Sequence, residues 1–467
     1  TEETDTTCSY CSVGCSLKLE SYGDMLIKAN PDKEGAVNKG LICGKGKWGF
    51  DCSVLEDKLE DPFVKEDGRF RESDYHEALV LIAKRCQTIG AKYGKDAIAV
   101  AISDRYTNEE AYAMKKMAEV MGAKVLCMNN RANGLAKVLG FDASPNTIDE
   151  LLSTNVILKV GFKDEDSRVI SLKMRQAQEA GARVIDVCNG ENSLGFLKEI
   201  AKAVLESGKA KKVNGYDEFA ASLADVKVSE EAKSIADAYM GAKKAMIVYQ
   251  QNNLTVDAAT LIADIALVSG HIGTPRDGVL QVKAKNNSQG LVDMGITAGK
   301  EALEGVKALV VFGENAEVDT DALEFLAVCD THMTELAAKA DVVIPGTGFA
   351  SIDGTYTNTE RRIQLVEAAI DEDILFSNWE VAAEIANIFE ADFGWEGTDD
   401  ISDEMSDEVL AYRYAQVGEV LGGVLAPAED AALIAVADGP AFDELPCTDS
   451  LMQVIADRLP KPANPTA

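Results

Sequence analysis

Short apolar runs, separated by longer stretches with helical spacing, dominate this chain from about residue 77 onward. Ala97–Ile102, Val156–Val160, Arg183–Val187, Ala245–Tyr249, Leu309–Phe312 and Asp341–Ile344 each read as a short buried strand. Between them, segments such as Asn108–Met121 repeat their apolar residues at the spacing of an amphipathic helix. Strands that are apolar on both faces need cover on both, so the alternation predicts mainly parallel sheets between layers of helices. The first 55 residues follow another pattern. They are rich in Gly and Cys and hold brief alternating runs, Ser16–Leu19 and Met25–Ala29, which predict a small β-rich domain. The expected class is α/β: a small β-rich domain over residues 1–55, then two doubly wound, Rossmann-like domains with mainly parallel sheets. The first of these is expected to be discontinuous, 56–125 plus 300–430, with the second, 126–299, inserted into it and 431–467 as a C-terminal extension. The tail Leu459–Ala467, with prolines at 460, 462 and 465, reads as disordered or draped over a neighbour.

At 467 residues the chain has room for two to four domains with full cores. With 78 acidic against 46 basic residues it carries a formal charge of −32, a field that repels nucleic acid and anionic membrane surfaces and could steer a basic partner. Simple solubility, or a salt-rich cytoplasm, accounts for the same charge. No apolar run reaches the roughly 18 residues needed to span a bilayer. Neither a signal peptide nor a twin-arginine segment is visible, so no direct membrane insertion is expected. The chain begins at Thr1 without a methionine, which suggests that an N-terminal portion has been removed or is not represented. Six cysteines (Cys52, Cys86, Cys127, Cys188, Cys329, Cys447) are scattered singly, mostly inside apolar runs. That usage suits reduced, buried thiols and a cytoplasmic location.

The other four cysteines form a series, Cys8-x2-Cys11-x3-Cys15-x27-Cys43. One tight loop and one later segment supplying four thiolates is what a [4Fe–4S] cluster requires, one protein sulfur per iron. Gly14 and Gly23 permit sharp turns, and Gly40, Gly44, Gly46 and Gly49 allow backbone to approach an inorganic core. A structural zinc site is the alternative, but zinc ribbons usually supply two Cys-x2-Cys pairs, and here there is one. Disulfides fit the inferred compartment less well. Phosphate-binding signals are weak: no G-x-G-x-x-G follows a strand, and no Walker-type loop is present. Val311-Phe312-Gly313-Glu314-Asn315 puts a glycine at a strand end, which a tight turn explains equally well.

Several stretches carry a family resemblance. Cys8–Cys15 with Asn38-Lys39-Gly40-Leu41-Ile42-Cys43-Gly44-Lys45-Gly46 looks like the cluster domain of the molybdopterin oxidoreductases. Phe70-Arg71-Glu72 through Glu77-Ala78-Leu79, Thr107-Asn108-Glu109-Glu110 and Gly270-His271-Ile272-Gly273 are similar to further family stretches. So are Asn286–Gly295 and, most specifically, Asp341-Val342-Val343-Ile344-Pro345 followed by Asp353–Arg362. Within the superfamily the chain most resembles the formate dehydrogenase catalytic subunit and the large iron–sulfur subunit of respiratory NADH dehydrogenase. The resemblance implies that Cys8, Cys11, Cys15 and Cys43 hold a [4Fe–4S] cluster. It also implies that Lys45 lies between cluster and pterin, where its ammonium would raise the cluster potential.

Departures from the pattern shape the functional expectation. Formate dehydrogenases bind molybdenum or tungsten through a Cys or selenocysteine followed by a catalytic His. Counting back without gaps from Asn146–Glu150 places that ligand at Cys127, which is followed by Met128. An arginine expected before Asn286-Asn287 falls on Lys283, which cannot pair bidentately with a carboxylate. The motifs that grip the cofactor's guanine dinucleotide ends are replaced by Val187-Cys188-Asn189-Gly190-Glu191-Asn192, and the family's C-terminal β-barrel would begin where this chain stops. Together these features imply that the metal–pterin site is lost and molybdopterin absent, with Cys127 and Lys283 vestigial. The expected role is an electron-transfer subunit of a multi-subunit, cytoplasmic oxidoreductase resembling NADH-linked hydrogenases, formate dehydrogenases, electron-bifurcating enzymes or complex I. Its partners would be ferredoxin-like iron–sulfur subunits and flavin- or NAD(H)-binding subunits. Two alternatives stay open: an active formate dehydrogenase-like enzyme using Cys127, and a structural scaffold with a zinc site. His271 and His332 are expected to be hydrogen-bonded core residues and His76 to face solvent. The Asp399–Glu408 run reads as an exposed acidic face or, less simply, a docking surface.

Overall fold

Alternating positions in the N-terminal segment become a three-stranded antiparallel sheet, β1 (Glu2–Thr7), β2 (Ser16–Tyr22) and β3 (Met25–Pro31), in that spatial order. Leu17, Leu19, Leu26 and Ala29 point into a small core shared with Val169, Ile170 and Met174 of the helix Arg168–Glu179. The computed structural model describes residues 1–50, 57–131, 134–187 and 193–445. Cys52, Cys188, Cys447, the Cys188–Asn192 stretch and the Pro-rich tail lie outside these residues.

After the helix Gly44–Trp48 come the hairpin β4 (Phe63–Glu66) and β5 (Arg69–Glu72), then β6 (Ile98–Ile102) and β7 (Lys124–Leu126). The inserted sheet follows with β8 (Val156–Val160), β9 (Arg183–Val187), β10 (Ala245–Gln250) and β11 (Gly278–Val282). The chain then returns through β12 (Ala308–Phe312), β13 (Phe325–Asp330) and β14 (Val342–Pro345), and closes its strand series with β15 (Gly354–Thr357) and β16 (Ile363–Val366). The larger sheet has the order β5-β4-β14-β13-β12-β6-β7, parallel from β14 to β7 with the hairpin antiparallel at one edge. The inserted sheet has the order β11-β10-β8-β9 and is parallel throughout. Every residue of β6, β10, β12 and β13 is buried, which explains why these strands are apolar on both faces.

Local signals set the helix boundaries. Thr107 caps Asn108–Met121 in a capping box with Glu110, and Gly122, at φ 69°, ends it in the left-handed region. Asp74 accepts from Glu77 N–H at the start of Tyr75–Tyr93. His271 is buried between Asp277 (2.6 Å) and the Tyr239 carbonyl (2.9 Å), His332 is buried beside Thr331, and His76 is exposed. The acidic run forms the helix Thr398–Glu408, which buries Ile401 and Met405, exposes Asp399, Asp400, Asp403 and Asp407, and uses Glu404 and Glu408 to accept from Tyr112 and, at Glu404, from Trp395. No helix among the described residues is long and apolar enough to cross a membrane.

Two segments do not stay with their sequence neighbours. The β15–β16 hairpin packs against β1, where Thr7 Oγ1 donates to Leu365 O at 2.7 Å. Residues 421–445 leave the larger sheet and wrap the inserted domain. There Ala428 and Ala432 N–H donate to Leu139 and Val138 carbonyls, and Ile434 N–H donates to Asp264 Oδ1 at 3.0 Å.

Asp264 sits in the helix Val256–Ser269 and is fully buried, and its Oδ2 has no hydrogen-bond partner. Burial lifts its carboxyl from an ordinary 3.8 to about 8. Because the folded value lies above the unfolded one, the stability from the neutral acid is present below about pH 4 and is lost as the pH rises towards 8. Asp264→Asn is therefore expected to raise the melting temperature, followed by circular dichroism, more at pH 7.5 than at pH 5. Equal shifts at the two values would contradict this account.

Candidate metal centre

The four series cysteines meet because the β1–β2 connection is closed on itself. Cys8 N–H donates to Cys15 O at 2.8 Å, next to the last ladder pair, Thr7 with Ser16. Gly14 makes the turn at φ 66°, its N–H donating to Cys11 O, and its surroundings leave no room for a side chain: a Cβ there would lie 1.8 Å from Gln364 Oε1. The fourth sulfur arrives from Cys43, which begins the helix Gly44–Trp48 and whose carbonyl accepts from Lys47 N–H at 3.0 Å. Gly46 lets this helix approach closely, since a Cβ on it would sit 3.4 Å from Cys8 Sγ. Cys8, Cys11, Cys15 and Cys43 line one cavity of about 300 Å³ with Tyr10, Val13, Ile42, Lys45 and Trp48. Zinc draws sulfurs to about 2.3 Å from a single point. Among the described residues no group of three or more His, Cys, Asp or Glu is placed to hold one ion.

Burial and the neighbouring thiols raise the Cys8 and Cys15 thiols well above their ordinary range, and Cys11 is pushed up to about 11. Four mutually repelling thiolates need compensating positive charge, which iron supplies on binding. The protein contributes some of its own. Half-buried Lys45 faces Cys8 and Cys11, buried Lys285 faces Cys11, and buried Lys173 lies near Cys15 with its ammonium paired to Asp149. Sequence reading found Lys45 and missed the other two. Lys173 had a legible signal, because it interrupts the apolar stripe Val169, Ile170, Met174, Ala177 of its helix. Lys285 had none beyond its place before Asn286.

The structure does not bring Cys127 to this cavity. Cys127 follows β7 at the carboxyl edge of the larger sheet, fully buried, with Sγ 3.6 Å from Glu314 Oε1. Glu314 also accepts from Met128 N–H at 3.0 Å. Burial raises the Cys127 thiol strongly, and the Asp104 and Glu314 carboxylates add to the rise. Lys283 lies nearer the cluster loop, and its carbonyl accepts from Ser12 Oγ at 2.7 Å. Its ammonium, however, is paired with Asp142 at 2.6 Å.

Around Lys283 lie buried polar atoms without hydrogen-bond partners, Gln289 Oε1, Asn286 Oδ1 and Asp293 Oδ2, while the buried Gln281 amide meets the Tyr249 hydroxyl. Such atoms fit the edge of a hydrogen-bonding ring such as a pterin. The cations beside them are already engaged: Lys283 with Asp142, and Arg361 with the carbonyls of Ser144, Pro145, Leu421 and Gly423.

Comparison with known proteins agrees with this architecture. The family model for the molybdopterin oxidoreductase Fe4S4 domain matches residues 1–52, and that for molybdopterin oxidoreductase matches residues 58–387. A Bacillus subtilis protein, YjgC, named as an oxidoreductase is 28% identical over 86% of this chain and 50% of its own length. A Staphylococcus aureus (strain Mu50) protein named as a formate dehydrogenase is 27% identical over 87% of this chain and 51% of its own. The solved structure of acetylene hydratase from Pelobacter acetylenicus superposes with a TM-score of 0.68 at 13% identity, over 85% of this chain and 71% of that one, a likeness of fold. The chain belongs to the molybdopterin oxidoreductase family and carries its Fe4S4 domain. It spans about half the length of the curated relatives it matches, so a capping domain is not missing merely because this sequence ends. The expectation that molybdopterin is absent accordingly has no support, since the pterin-binding domain of the family is present.

Lys283 is only 2% exposed in its side chain, against 19% for Asp142. Removing the carboxylate leaves a buried, unpaired ammonium. Asp142→Ala is expected to lower unfolding stability in urea by about 3 kcal/mol. Asp142→Leu combined with Lys283→Met should recover most of it, and a loss no greater for the single than for the double variant would refute the pairing argument.

Proposed function

We propose that the chain is an electron-transfer subunit of an oxidoreductase complex, holding one [4Fe–4S] cluster on Cys8, Cys11, Cys15 and Cys43 and passing single electrons through it. The observation that carries this reading is the convergence of these four thiols, from two separate segments, on one cavity with three lysines beside it. Lys45 and Lys285 favour the reduced, more negative cluster and so raise its potential, whereas the ammonium of Lys173 is paired with Asp149. Trp48, 62% exposed at the cavity, offers a polarisable bridge from cluster to surface. Partners of matching chemistry are ferredoxin-like iron–sulfur subunits and flavin- or NAD(H)-binding subunits, in a cytoplasmic assembly. In this reading Cys127 is a buried thiol beside Glu314 and not a metal ligand.

A second reading, formate dehydrogenase-like catalysis at a molybdenum or tungsten pterin, is favoured by the unpartnered polar atoms of Asn286, Gln289 and Asp293, which would hold the ring. Such a group, when bound, supplies two-electron chemistry at its metal.

Metal analysis separates the two. The relay reading expects about four irons per chain, no molybdenum or tungsten, and a low-temperature EPR signal on reduction that Cys11→Ser alters or removes. Stoichiometric molybdenum or tungsten, with formate-dependent dye reduction lost in Cys127→Ala, would establish the second. Lys285→Gln is expected to lower the cluster's midpoint potential relative to wild type while leaving its iron content intact. An unchanged potential would detach Lys285 from the cluster.

A further inference from the structure

Three of the four series cysteines share one loop, which Asn358 and Gln364 hold by donating to the carbonyls of Val13 and Gly14. Cys43 reaches the cavity from a separate segment, and the helix it begins, Gly44–Trp48, is five residues long. A helix of that length has no stability of its own, so its position depends on what holds it from outside. Upstream, buried Asn38 donates to the Ser16 and Leu41 carbonyls and accepts from Ser16 N–H at 2.9 Å, which ties the approach to Cys43 to β2. Along the helix, Lys47 Nζ donates to Ala29 O at 2.6 Å and to Asn30 Oδ1 at 3.0 Å, both on β3.

The far end of the helix is held by the cysteine loop itself. Gly49 closes the helix, its N–H donating to Lys45 O. Its carbonyl accepts from the hydroxyl of Tyr10, which lies between Cys8 and Cys11. The backbone at Gly49 is ordinary (φ −76°, ψ −6°), so no turn geometry requires glycine there. Space requires it: a Cβ would overlap the Tyr10 ring, with Cε2 2.7 Å away. The glycine that the sequence assigned to the approach of an inorganic core thus admits a tyrosine. The ring has little room to retreat, being 4% exposed and meeting Phe349 edge-on at 6.4 Å.

We propose that Tyr10 is a positioning residue for the fourth iron: by holding Gly49 it keeps Cys43 on the cluster, and its hydroxyl sets how readily one iron is lost. The inference rests on the [4Fe–4S] ligation of the electron-relay reading and deepens it, naming which of the four ligands is labile and what secures it. The step under control is oxidative. One electron passes from [4Fe–4S]2+ to ferricyanide, giving ferrocyanide and [4Fe–4S]3+. The bond between Cys43 sulfur and iron then breaks, the thiolate takes a proton from water, Fe2+ leaves, and [3Fe–4S]+ remains on Cys8, Cys11 and Cys15.

The test uses the full chain with its cluster in place, treated with one equivalent of ferricyanide. The readouts are the [3Fe–4S]+ EPR signal, iron content after desalting, and unfolding in urea. Wild type is expected to keep about four irons. Tyr10→Phe, which keeps the ring and loses the hydroxyl, should develop the signal about ten-fold faster, the scale of one buried hydrogen bond, and end near the three-iron state that Cys43→Ala defines. Gly49→Ala, which displaces the Tyr10 ring from the other side, should shift the same way, and it carries the test where Tyr10→Phe does not fold. A tyrosine that only supports the fold would lower urea stability and release all the iron together without a [3Fe–4S]+ signal, and that outcome overturns the proposal. So does an unchanged rate in either folded variant. A wild type that binds no iron removes the electron-relay reading and this inference with it, whereas an intact cluster indifferent to Tyr10 removes this inference alone.

Discussion

A buried polar turn, Asn358–Gln364, holds together parts of the chain that lie hundreds of residues apart. Asn358 Nδ2 donates to Val13 O, Thr359 N–H to Ser12 O, and Gln364 Nε2 to Gly14 O, so the turn grips the cysteine loop by its backbone. Thr359 Oγ1 also donates to Gln281 O at 2.6 Å and accepts from Lys283 N–H, which ties in the end of the inserted sheet. Glu360 accepts from Ile148 N–H at 2.7 Å. Arg361, in the left-handed region at φ 64°, spends its guanidinium on four carbonyls of the inserted domain and the wrapping segment. Unpaired buried backbone groups are costly, so each of these bonds restricts where the cysteine loop can stand.

That anchoring gives the cysteine cavity its geometry before any metal is considered. A loop of eight residues with a glycine turn would be mobile by itself. Here its carbonyls are fixed from one side by the turn, and Ser12 is fixed from the other by Lys283 O. Lys283 thus meets the cluster loop through its backbone, while its charge is consumed by Asp142. The positive charge that faces the sulfurs comes instead from Lys45 and Lys285, with Lys173 near Cys15 but paired to Asp149.

Much of the fold was legible in the chain. The strands that became β6, β8, β9, β10, β12 and β14 stood out because each is a short apolar run between helical stretches. β13, Phe325–Asp330, was not among the expected strands although its first five residues are all apolar, and β11 offers no clean run because Gly278 and Gln281 interrupt it. The cysteine series was legible for a different reason: ligand spacing survives without any knowledge of the fold. Lys285, the Glu314 contact of Cys127 and the Phe442 contact of Gly161 were not, since each joins residues brought together only by chain crossover.

The sequence by itself determined the alternation of strands and helices, the helix ends at Thr107 and Gly122, and the supply of four thiols at cluster spacing. These depend on neighbours within a turn or two of chain, where backbone sterics and local hydrogen bonds decide. Only the tertiary structure decided which charges face the sulfurs, that Cys127 faces carboxylates, and that residues 438–445 pack across the carboxyl end of the inserted sheet. Those are long-range choices, fixed by which buried polar groups can be satisfied at once, and no local pattern encodes them.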